Sequence, residues 1–110
     1  MKQIVFDQLR PGDSEKLYHL LSERFGESPV PGIFWAPLPG EALAPAQQEH
    51  PGCAPFSVAL ELSDSTLSCE LLIRSQQRMR CSCVAYATKE QLLYLLGLLD
   101  GMLDELGISI

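Results

Sequence analysis

The sequence predicts an α+β fold in which helices pack on one face of an antiparallel sheet. Apolar and polar residues alternate from Phe56 to Ala87, as they do in strands that have one buried face. Leucine then recurs at helical spacing from Leu92 to Leu106. Because 110 residues are a usual length for one folding unit, we expect a single α+β domain over residues 1–110.

The N-terminal segment predicts a short strand and then a helix. Ile4, Val5 and Phe6 precede a turn at residues 10–12, and we expect this strand at an edge of the sheet. Asp13 or Ser14 can cap a helix that ends at Gly26. The apolar positions that face the core share helical spacing: Leu17, Leu20, Leu21 and Phe25.

Residues 27–55 contain seven of the eight prolines. Proline lacks a backbone donor and restricts the residue before it, so we expect a long Pro-rich loop without regular elements. Phe34 and Trp35 are too apolar to leave in water. The first half of the loop should therefore lie against the body of the domain.

The alternating segment predicts a three-stranded antiparallel meander. A turn at Asp64 and Ser65 keeps apolar residues opposite one another: Leu62 with Leu67, Leu60 with Cys69, Val58 with Leu71 and Phe56 with Ile73. A loop at residues 75–77 then pairs Ile73 with Met79, Leu71 with Cys81 and Cys69 with Cys83. In this register Cys69, Cys81 and Cys83 point into the core and act as small hydrophobic residues.

Thr88 and Gln91 form a capping box that starts the C-terminal helix, which we expect to end near Gly107. Its leucine stripe packs on one sheet face. Leu93 and Leu98 lie outside that stripe, which favours a second covered side, formed either by the long loop or by another copy of the chain. A homodimer is therefore one expectation.

The charge of the chain excludes some partners. A net charge of −6 and a pI near 4.7 disfavour binding to nucleic acid, because that affinity comes from lysine and arginine residues that neutralise backbone phosphates. Neither a secretory signal nor a membrane-spanning apolar run is recognisable. We expect a cytoplasmic protein, away from the membrane, with reduced thiols.

His50, Cys53, Cys81 and Cys83 together supply one imidazole and three thiols, a ligand set that tetrahedral zinc accepts. The spacing argues against such a site, because two thiols on the same face of one strand lie about 7 Å apart. The competing interpretation is three core sulfurs and one loop thiol, and the predicted strand favours it. Cys53, near His50, is also the best placed thiol for a redox role.

Arg74, Arg78 and Arg80 cluster at the predicted hairpin tip of an otherwise acidic chain. Such a cluster can contact an anion or an acidic peptide. Solvated charges that prevent strand-to-strand aggregation explain the same residues equally well.

No catalytic or phosphate-binding motif is recognisable, so the sequence does not favour an enzyme. The leading hypothesis is a protein-interaction domain whose partner, of unknown identity, contacts Phe34 and Trp35, with a core lid as the alternative role of these two residues. The second hypothesis is a metal-binding or thiol-redox protein that uses His50 and the three thiols, with zinc as its only expected cofactor.

Overall fold

The computed structural model describes residues 2–109. The architecture is α+β with an antiparallel sheet, as predicted. The strands are β1 (Gln3–Phe6), β2 (Ile33–Pro37), β3 (Phe56–Leu62), β4 (Leu67–Glu70), β5 (Leu72–Ser75) and β6 (Ala85–Tyr86). The helices are α1 (Pro11–Phe25), the single turn α2 (Pro45–Gln48) and α3 (Lys89–Glu105), and two 3₁₀ turns cover Gly40–Ala42 and Pro51–Cys53.

Strand β3 lies at the centre of the sheet. It pairs with β2 on one side and with β4 and β5 on the other, and all these pairs are antiparallel. Strand β1 pairs with β4, and β6 pairs with β5, so both lie at the far edge. The N-terminal strand is therefore an edge strand, as the sequence predicted.

The core lies on one face of this sheet. Val58 and Leu60 of β3 are fully buried, and their partners on β2 are Ala36 and Phe34. Both long helices contribute side chains to the same hydrophobic cluster, among them Leu17, Leu21, Leu95, Leu99 and Met102. An ion pair of 2.5 Å between Arg24 and Glu105 joins the ends of α1 and α3.

Helix α1 begins two residues before the predicted cap. Pro11 occupies its first turn, where a missing N–H costs nothing, and Asp13 accepts a hydrogen bond of 3.3 Å from the backbone of Arg10. The helix ends at Phe25, followed by Gly26 with φ of +76°. Asp13 thus stabilises the helix start from inside the first turn.

The expectation of a Pro-rich segment without regular structure is wrong: residues 33–37 form β2, and residues 45–48 form the single helical turn α2. Strand β2 pairs with β3 alone among the described strands, and Pro37 lies at its end, a position where a sheet tolerates proline. Phe34 is buried in the core and Trp35 is half-buried. The segment does lie against the domain, as its aromatic residues predicted.

The register of the first hairpin is only partly as predicted. Leu60 pairs with Cys69, but Phe56 pairs with Ser75 and not with Ile73. Over this stretch the partner strands have two more residues than β3, and the extra residues lie at the break between β4 and β5. There the backbone N–H of Leu71 donates to the carbonyl of Lys2, next to the edge strand β1. Because the shift is even, Ile73 still faces the core.

The predicted third strand is wrong. Residues 76–84 form turns and bends, Met79 is 93% exposed, and only the two residues of β6 pair with β5. Ser75 Oγ accepts hydrogen bonds from the backbone of Gln77 and Arg78 and so turns the chain away from the sheet. Cys83 is buried as predicted, but it does not lie opposite Cys69.

Helix α3 begins with the predicted capping box. Thr88 Oγ1 accepts from the Gln91 backbone at 3.2 Å, and Gln91 Oε1 accepts from the Thr88 backbone at 3.0 Å. The helix ends at Glu105, close to Gly107. Leu93 is 60% exposed, outside the buried stripe. Within residues 2–109, no helix is both long and apolar enough to cross a membrane.

Candidate metal centre

The structure brings together three of the side chains that the sequence offered as zinc ligands, and it places the fourth, Cys53, beside one of them. A ligand atom of His50 and the Sγ atoms of Cys81 and Cys83 all lie within 4.8 Å of one another. Cys53 Sγ lies 3.6 Å from Cys81 Sγ. Three thiols and one imidazole therefore meet at one place, although 27 residues separate Cys53 from Cys81 in the sequence.

These separations are close to those of a tetrahedral zinc site. Zinc–sulfur bonds of about 2.3 Å at tetrahedral angles place neighbouring sulfurs about 3.8 Å apart. The Cys53 and Cys81 sulfurs, at 3.6 Å, already match this value. The ligand atoms of His50, Cys81 and Cys83, which lie within 4.8 Å of one another, would need shifts of about 1 Å to bind one ion. Cys53 is close to Cys81 but is not part of that mutually close group, so its sulfur would have to move nearer to the other ligands as well.

A tight turn connects His50 and Cys53. The backbone N–H of Cys53 donates to the carbonyl of His50 at 2.9 Å, which closes the 3₁₀ turn Pro51–Cys53. Pro51 is suited to the first position of this turn because its φ is already fixed. The sequence between the two ligands, Pro and Gly, thus folds into a ligand-presenting turn.

Cys81 and Cys83 also lie in a turn. The Val84 N–H donates to the carbonyl of Cys81 at 3.0 Å. The predicted separation of about 7 Å applies only to an extended strand. Because the chain turns here, the spacing argument against a metal site no longer holds.

The hydrogen bonding of His50 fixes its tautomer. Nδ1 lies 2.6 Å from the backbone carbonyl of Ala46, and since a carbonyl can only accept, Nδ1 carries the proton. Neutral His50 therefore has its lone pair on Nε2. A backbone carbonyl that orients the imidazole in this way is a usual feature of metal-binding histidines.

The thiols have sharply different pKa values. The pKa of Cys81 is lowered to about 7, first by hydrogen bonds from the Cys83 side chain and backbone, then by Cys53 and His50. The pKa of Cys83 is raised to about 12, first by burial and then by the neighbouring Cys81 and Cys53. Without a metal, Cys81 is therefore a thiolate at a much lower pH than Cys83. A bound cation would favour deprotonation of all three thiols.

Two polar side chains join the cluster to the rest of the domain. Gln47, which is buried, donates from Nε2 to the carbonyl of Cys83 at 3.3 Å. Ser75 Oγ donates to the carbonyl of Cys53. Neither residue was singled out in the sequence, because an isolated Gln or Ser carries no signal of such a role.

The fourth thiol, Cys69, is not part of the cluster. It is fully buried on β4, opposite Leu60 and Ile4. Burial, with the nearby Glu70 carboxylate, raises its pKa to about 12. Cys69 is a core sulfur, as the sequence predicted.

The residues predicted to bind a partner differ in their exposure. Phe34 is buried and pairs with Leu60, so its side chain offers no contact surface. Trp35 is half-buried on β2, and Arg74 is bound to Glu70 at 2.6 Å. Arg78 and Arg80 are exposed in the turn region of residues 76–84.

Comparison with protein-family models, with curated proteins and with solved structures found no match for this chain.

Proposed function

We propose that this chain is a small zinc-binding domain, in which His50, Cys53, Cys81 and Cys83 hold one ion. The observation that carries the proposal is the convergence of His50, Cys81 and Cys83 from two distant turns to within 4.8 Å of one another, with the Cys53 sulfur 3.6 Å from that of Cys81. Soft thiolates with one imidazole favour zinc over magnesium or calcium, which prefer oxygen ligands.

The role of the ion would be structural. Four protein ligands complete a tetrahedral shell and leave no open position for water or substrate. The ion would join the turn at residues 50–53 to the turn at residues 81–84, both of which lie outside the main sheet. Zinc would thereby stabilise the least regular part of the domain.

The test is the metal content of the purified protein. We expect about one zinc per chain and, after exchange, the visible spectrum of tetrahedral cobalt with thiolate ligands. Cys81→Ala should abolish stoichiometric binding. Cys69→Ala is the matched control, since Cys69 is a buried thiol outside the cluster, and it should retain the metal.

Two results would overturn the zinc assignment: metal-free protein that gives no thiolate–cobalt spectrum, or equal binding by both variants. A thiol-redox role is the competing function, favoured by the 3.6 Å separation of the Cys53 and Cys81 sulfurs. Metal-free protein with a Cys53–Cys81 disulfide after peroxide treatment would support that role instead.

A protein-interaction role is a second candidate, now centred on the turn region. Met79 is 93% exposed between Arg78 and Arg80, and a long apolar side chain held in water between two cations suits a partner surface that is acidic around an apolar pocket. Replacing all three residues by Ser should abolish binding of such a partner. The expected homodimer and the cytoplasmic location stay predictions, and light scattering tests the first.

A further inference from the structure

A cavity of about 520 Å³ opens between residues 41–45 and the first two turns of α3. It lies within the size range of small-molecule sites, which is about 300–1,000 Å³. None of the four proposed metal ligands lines it. The cavity is therefore a separate feature of the domain.

The walls combine an apolar floor with negative charge. Ala42, Leu43, Ala44 and Pro45 form one side, and Tyr94 of α3 contributes a partly exposed aromatic ring. Glu41 and Glu90 also line the cavity, and neither carboxylate has an ion-pair partner among residues 2–109. No lysine or arginine is among the lining residues.

The wall is held in place by a buried amide network. Gln91 Nε2 donates to the carbonyl of Ala42 at 2.9 Å and to Gln47 Oε1 at 2.9 Å. Gln91 Oε1 accepts from the backbone of Thr88, so its polar atoms are all engaged. The loop and the helix that enclose the cavity are thus fixed to each other before any ligand binds, which lowers the ordering cost of binding.

We propose that this cavity binds a small organic amine, a cation that carries a short apolar chain. The ammonium group would lie between the Glu41 and Glu90 carboxylates and the face of Tyr94, which attracts cations. The apolar chain would contact the floor at residues 42–45. Glu41 and Glu90 would repel a carboxylate or phosphate ligand, and the lining contains no lysine or arginine to offset them.

The test compares n-butylammonium with butan-1-ol, a neutral molecule of nearly the same shape. Each is titrated into isotopically labelled protein and followed by NMR. We expect saturable shifts at Ala42, Leu43, Glu90 and Tyr94 with the amine and much weaker ones with the alcohol. Added salt should weaken amine binding.

Variants decide which groups bind the amine. The double variant Glu41→Gln with Glu90→Gln should weaken binding about fivefold to tenfold. Glu23→Gln, on the exposed surface of α1 and outside the cavity lining, should leave it unchanged. Equal binding of amine and alcohol, no saturable shift at the cavity, or unchanged affinity in a folded double variant would each overturn the assignment.

Discussion

Gln47 donates a hydrogen bond of 3.3 Å from its side-chain amide to the backbone carbonyl of Cys83, a residue 36 positions further along the chain. The same side chain accepts hydrogen bonds from the backbone of Ala44 and from Gln91 Nε2, both at 2.9 Å. One buried amide thus connects the candidate metal centre, helix α2 and the start of α3. The hydrogen bond from this amide holds the backbone of Cys83, one of the proposed metal ligands.

Gln47→Leu should lower the free energy of unfolding by about 2–4 kcal/mol, because it leaves several buried polar groups without a partner. Urea denaturation measures this value. Gln48→Leu is the matched control: its amide bonds to Leu43 at the exposed surface, and the change should cost less than about 1 kcal/mol. Equal losses in both variants would contradict a special role for the buried network.

Cys81 should be the most reactive thiol of the metal-free protein. Its pKa is lowered to about 7, so a large fraction is thiolate at neutral pH. Alkylation with iodoacetamide followed by peptide mass mapping should modify Cys81 first, with a midpoint near pH 7, and Cys69 last. Added zinc should protect Cys81 while leaving Cys69 unaffected. Fast alkylation of Cys81 in the zinc-loaded protein would argue against its role as a ligand.

The sequence predicted the elements whose pattern is long and regular, and it failed where hydrogen bonds between one side chain and the nearby backbone turn the chain. The capping box at Thr88 and the pairing of Leu60 with Cys69 follow from spacing alone. The turn after Ser75 does not, because its hydroxyl bonds to the following backbone, an arrangement that alternation cannot reveal. Without this turn, the predicted strand continued through Cys81 and Cys83. An extended strand places these two thiols about 7 Å apart, too far for both to bind one ion.

The stability of the protein should fall at alkaline pH through Cys69. Its pKa in the fold is about 12, against an ordinary value of 9.0, so above pH 9 the unfolded chain binds fewer protons than the folded one. The stability that the neutral Cys69 thiol contributes to the fold is fully present below pH 9 and is lost as the pH rises toward 12. Between these pH values, the titration of Cys69 should lower the free energy of unfolding by up to about 1.4 kcal/mol per pH unit.

Cys69→Ala separates this contribution from other titrations at high pH. The variant is expected to be less stable than the parent at pH 7, because it loses buried atoms. Between pH 9 and pH 11, however, its free energy of unfolding should fall less steeply than that of the parent. Parallel curves over this range would show that Cys69 keeps an ordinary pKa in the fold.

Two glycine-to-alanine changes should have opposite effects on the stability of the protein. Gly32 has a φ of +82°, and an added Cβ would lie 2.9 Å from the backbone oxygen of Leu62, so Gly32→Ala should destabilise by about 2 kcal/mol or more. Gly97 lies inside α3 with open space around its Cα, and Gly97→Ala should stabilise by about 0.5–1 kcal/mol. Thermal unfolding of both variants measures the difference. If Gly32→Ala proved neutral, the close approach of the loop before β2 to the end of β3 would be wrong.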